Sequence, residues 1–194
     1  PMVIGGGGGA NMFIYTSPTV AGATLTVAYQ NDGGGDTISD SYTDFAIAFS
    51  PEMVEGLTVG YASGDQNTGV NLDNSKSTAY VKYAMGGFTV GYQVSEADHD
   101  TKTSSQDSTA YGITYAVNDD LTIGYSYHEL EPDSGAASNA SFDQESTGIS
   151  ASYTMGGMTL GGAMNETDNM RGVNASDFSA VSYTHLTLPT ISDV

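Results

Sequence analysis

The chain has 194 residues, enough for one large β domain or two small ones, with 25 Gly, 13 Tyr and neither Trp nor Cys, a composition that favours strands and turns over helices. Its 23 acids against 4 bases, a formal net charge of −19, exclude binding to nucleic-acid phosphates. The lack of cysteine excludes disulfides, thiolate metal sites and a cysteine nucleophile, and no run approaches the about 18 apolar residues of a transmembrane helix.

Pro1 opens the sequence without an initiator Met or a signal peptide, as expected if an export segment has been removed or the sequence begins mid-gene. The glycine run at 5–9 has no Lys-Ser or Lys-Thr after it and no strand-to-helix context, so it reads as a flexible loop end and not as a phosphate cradle. A first strand is expected at 12–17. From there one phrase recurs: Leu-Thr-Val-Gly-Tyr at 57–61, with variants at 25–30, 88–93, 121–126 and 158–162. Each alternates apolar with small or polar residues, the period of a strand with two unlike faces. Partner phrases at 77–80, 108–111 and 146–149 make the unit a repeated hairpin.

Short connections at 50–56, 85–87, 117–120 and 155–157 take turns with long polar ones at 31–41, 63–77, 95–108, 129–146 and 165–177. Transmembrane β-barrels show this asymmetry, with tight turns on one side and long loops on the other. The sequence therefore predicts an all-β fold, an antiparallel up-and-down meander of about eleven strands belonging to an incomplete transmembrane barrel. Parity places Phe45, Ile47, Phe49, Ala79, Val81, Tyr83, Tyr111, Ile113, Tyr115, Ile149, Ala151 and Tyr153 on one face. Ala46, Ala48, Tyr80, Lys82, Gly112, Thr114, Ser150 and Ser152 fall on the other. An apolar exterior over a small and polar interior inverts the order of a soluble barrel. Phe49, Tyr83, Tyr115 and Tyr153 each precede a short turn and are expected to form an aromatic girdle at the membrane boundary. Tyr80, Lys82, Thr114, Ser150 and Ser152 are the expected pore-lining residues.

At 11–29, Tyr15, Ser17, Pro18 and Gly22 resemble the Tyr-x-Ser-Pro-x-x-x-Gly passage of Gram-negative general diffusion porins. The likeness runs to about residue 180, and the Met-Gly-Gly turns are similar to those of alphaproteobacterial members. The resemblance implies a trimeric outer-membrane barrel of about 16 strands, of which this chain would hold roughly the carboxyl-terminal two thirds. It also implies a wall of basic residues facing an acidic constriction loop, with Lys82 as the candidate here. The scarcity of bases on the strands departs from that pattern.

A different origin is expected for the end of the chain. Residues 181–190, Val-Ser-Tyr-Thr-His-Leu-Thr-Leu-Pro-Thr, resemble the translation of a transposase sequencing adapter. The expected organisation is thus a partial barrel at 1–180 and a non-native tail at 181–194, and His185 receives no function.

Most acids lie in or beside the long connections, and Asp98, Asp100, Glu129 and Glu131 are the candidates for an acidic pore mouth. Such a mouth would concentrate cations. Clustered carboxylates in the outer loops could also hold Ca²⁺ weakly. His99 and His128 have acidic neighbours but no metal-ligand spacing, and they read as loop-surface residues. The expected function is passive, cation-preferring diffusion of small hydrophilic solutes across the outer membrane, without catalysis, cofactor or nucleic acid. Its partners would be outer-membrane lipid, lipopolysaccharide and two further copies in a homotrimer. The alternative is an acidic surface protein, an autotransporter or calcium-binding repeat fragment with structural or adhesive duty.

Overall fold

The computed structural model of the protein describes residues 12–31, 40–68, 73–99, 105–132, 143–156 and 158–169, and the backbone of 178–187; side chains are described for all but the last group and positions 40 and 68. The glycine run at 5–9, Asp100 and the end of the tail lie outside these residues.

Alternation of apolar and small residues drives the chain into strands that bury neither face in a dry core. These are β1 (Met12–Thr16), β2 (Ala23–Gln30), β3 (Asp40–Phe49), β4 (Leu57–Thr68), β5 (Asp73–Met85), β6 (Phe88–His99), β7 (Gln106–Ala116), β8 (Leu121–Pro132), β9 (Gln144–Met155), β10 (Met158–Asp168) and β11 (Phe178–Thr187). They form one sheet in which spatial order follows chain order from β1 to β11, each described pair being antiparallel. The barrel is not closed. The expected up-and-down meander is therefore present.

The short connections hold the register. Met85 pairs with Phe88 across Gly86 and Gly87, and Gly86 has φ +59°. A positive φ at the first central position of a two-residue hairpin selects glycine, because a Cβ there meets the following carbonyl.

At the opposite ends, strands run further than the alternation predicted. Asp65 pairs with Ser75 and Asn67 with Asp73, inside the expected loop at 63–77. Likewise β6 reaches His99, β8 reaches Pro132 and β10 reaches Asp168. Hydrophobic alternation fades where both faces meet water, yet the backbone ladder continues because it needs no apolar side chain.

Two rows of side chains cross the sheet. On one face Tyr83 stands opposite Val90, Val90 opposite Ile113, Ile113 opposite Tyr125, Tyr125 opposite Ile149 and Ile149 opposite Met164. On the other, Thr58 is followed by Lys82, Gly91, Gly112, Ser126, Gly148 and Asn165. Cross-strand rings tie the apolar face together: Phe88 stacks on Tyr115 at 4.3 Å and Tyr111 on Tyr127 at 4.8 Å, pairs of a kind that contribute about 0.5–1.5 kcal/mol beyond their burial.

Along β11, Glu166 pairs with Ser179 and Thr159 with Thr187, with a register shift between Thr159 and Gly161. The backbone of 181–187, set apart above as adapter-like, thus lies against β10. An alternating segment beside an open sheet edge pairs with it whatever its origin.

Candidate functional site

The polar face is the concave one. Ala28, Ala46, Ala62, Thr26, Tyr42, Asp44 and Thr78 are buried, Ala62 completely, and the register puts all of them on that side. Inward curvature crowds side chains together, whereas the apolar face leaves Ile149 57 % and Leu160 63 % exposed. A convex apolar surface over a concave polar one is the arrangement of a wall between lipid and water.

Among the expected pore-lining residues, Tyr80 and Lys82 of β5, Thr114 of β7 and Ser150 and Ser152 of β9 occupy the concave face, since they pair with Gln93, Gly91, Gly124 and Gly161 of the same row system. Phe49, Tyr83, Tyr115 and Tyr153 occupy the convex face beside the short turns.

The acidic residues divide unequally between the faces. Asp65, Asp73, Glu96, Asp98, Asp107, Glu129, Glu131, Glu145, Glu166 and Asp168 share the convex parity, and Glu96, Asp107 and Glu131 stand in one row while Glu129, Glu145 and Asp168 stand in another. Asp98, Glu129 and Glu131, expected at the pore mouth, are therefore on the exterior of the wall. The sequence reading left their face open because a loop has no sides, whereas a strand assigns one to each residue. Of the described carboxylate side chains on strands, Asp44 alone is concave, and its Oδ2 accepts a 2.5 Å hydrogen bond from the Tyr42 hydroxyl.

Both described lysines lie on the concave face of β5. Lys82 is exposed opposite Gly91, and Lys76 is half-buried opposite Gly64 and Ala97. The sequence reading missed Lys76 by placing it in a loop; continuing the parity of Lys82 and Tyr80 by two residues, and again by two, would have found it. His99 and His128 are also strand residues of the concave face and not loop residues, as the longer strands require. His99 Nδ1 lies 2.7 Å from Asn74 Oδ1. Among the described residues, no three His, Asp or Glu side chains gather as metal ligands.

Two tyrosines narrow the wall further. The Tyr80 ring lies flat over Gly60 of β4, where an added Cβ would strike Cε1, and the Tyr42 hydroxyl sits over Gly64 of the same strand. Replacing Gly60 with Ala is expected to lift the Tyr80 ring off the wall into the enclosed space. A channel bounded by this wall should then lose about a tenth to a third of its single-channel conductance, because a ring then projects into its cross-section. Unchanged conductance in Gly60→Ala would show that Tyr80 finds other room on the wall.

A one-layer antiparallel meander, apolar outside, polar inside, with tight turns at one end, defines an outer-membrane barrel wall. Residues 3–170 match the Gram-negative porin family, and the chain belongs to that family, whose place is the outer membrane. The fold is similar to that of the anion-selective porin from Comamonas acidovorans, with a TM-score of 0.66 and 13 % identity over 88 % of this chain. The chain spans 54 % of that porin's length. No curated protein matches the sequence.

Proposed function

We propose that these strands form part of the wall of a water-filled channel that lets small hydrophilic solutes diffuse passively across the outer membrane. The observation that carries this reading is the opposition of faces: on the turn-side part of strands β2 to β10, apolar residues on the convex side alternate with small and polar ones on the concave side. No catalytic step belongs to the reading. Phe49, Tyr83, Tyr115 and Tyr153 serve as the girdle at the headgroup level. The convex side faces lipid and, along its carboxylate band, lipopolysaccharide; the assembly implied by the resemblance is a homotrimer.

The selectivity we propose is for anions. The acidic mouth expected from the sequence pointed to cations, but ten carboxylates on the convex face act through a sheet and through electrolyte that screens over about 8 Å at physiological ionic strength. Lys76 and Lys82 face the water directly, with Asp44 opposing them from within a hydrogen bond. The Comamonas porin shares the fold alone, so the lysines carry the argument. Insertion of the protein into planar bilayers and liposomes tests the channel: discrete conductance steps and swelling rates that fall with the size of an uncharged sugar are expected. A protein that neither conducts nor admits sugars is not a diffusion channel.

A further inference from the structure

Between β5 and β8 the concave face holds a recess of about 360 Å³, lined among others by Lys76, Thr78, Gln93, Ser95, Gln106 and Ser108. Its floor is internally satisfied. Gln93 Nε2 donates to Ser95 Oγ at 3.1 Å, Ser95 and Thr78 hydroxyls meet at 2.9 Å, and Thr78 Oγ1 donates to the Val94 carbonyl at 3.1 Å. With that chain running in one direction, both hydroxyl protons in it are used. The rim is different: the side chains of Lys76, Gln106 and Ser108 have no hydrogen-bond or ion-pair partner among the described residues. Glu96, at the recess edge, belongs to the convex parity.

The geometry points to a solute-binding station on the channel wall for a small hydroxylated organic anion, its acidic group on Lys76 and its hydroxyls on Ser108 and Gln106. The inference rests on the channel reading and adds to it a substrate class. A lysine ammonium that forms no ion pair among the described residues favours an anion, and an amide with a hydroxyl offers both donors and acceptors to an alcohol. The volume fits a molecule of sugar size. A half-exposed station of this kind holds its solute weakly, which is what passage requires.

Gluconate is the probe, read as interruptions of single-channel current through the protein in planar bilayers. Lys76→Gln is expected to shorten the dwell time of each interruption about fivefold, the effect of losing an ion pair near 1 kcal/mol, and Ser108→Ala about twofold. Lys82→Gln, roughly 20 Å away along the strand, should lower the frequency of interruptions through its field and leave their dwell time alone. Glucose, of similar size and uncharged, should dwell no longer in the parent than in Lys76→Gln. Inorganic phosphate tests the hydroxyl part and should dwell more briefly than gluconate. Gluconate dwell times that ignore both Lys76→Gln and Ser108→Ala in a conducting channel overturn the station and leave the channel intact; absence of any conductance overturns the channel itself.

Discussion

Replacing both Lys76 and Lys82 with Gln is expected to move the reversal potential of the channel under a KCl gradient towards cations. The permeability ratio should change by about two- to fivefold, since unit charges roughly 8–16 Å from a permeating ion in a watery environment contribute about 0.25–0.5 kcal/mol each. The matching experiment removes acids: Asp98→Asn, Glu129→Gln and Glu131→Gln together should change the ratio by less than about a third at 0.1 M salt. Raising the salt should shrink both effects, and the acid effect first, because its path to the permeating ion is longer. If the three acid substitutions shift the potential more than the lysine pair does, the carboxylate band reaches the lumen and the assignment of faces to charge is mistaken.

The second large effect concerns the apolar face. Ile113 is 40 % exposed in the middle of the convex row, between Val90 and Tyr125, whereas its neighbour Thr114 faces the concave side opposite Thr89 and Gly124. Ile113→Lys should destabilise the membrane-inserted state by about 2–4 kcal/mol, the cost of a lysine at the lipid face near the bilayer midplane. Thr114→Lys should cost less than about 1 kcal/mol, because water solvates its ammonium. Urea titrations of the protein folded into lipid vesicles measure both. Equal tolerance of the two lysines would mean that the convex face does not meet hydrocarbon.

Some of this organisation was legible in the sequence for a definite reason. Where one face is apolar, period-two alternation marks the strand and its parity together, so Ile113 and Thr114, or Tyr83 and Lys82, could be assigned to faces without coordinates. The glycine pair at 86–87 marked its turn equally well. Beyond the apolar band the signal vanished. Residues 63–68 and 95–99 are polar on both sides, and polar alternation resembles a loop. The strand ends and the faces of Asp98, Glu129 and His99 became clear only from the pairing. Asp44 and Tyr42 were missed differently: their contact joins residues two apart on the concave side, and nothing in the local composition distinguishes it from solvation.

The order of strands in the sheet has a kinetic consequence. Every described pairing joins neighbours in the chain, and at the tight turns the first partners, such as Met85 and Phe88, are already almost adjacent. Little loop-closure entropy opposes the first contact of such a hairpin, and each later pair extends a ladder already begun. The sheet can therefore assemble as a zipper from its turn side, one hairpin at a time, with the carboxylate-rich ends the last to be brought together.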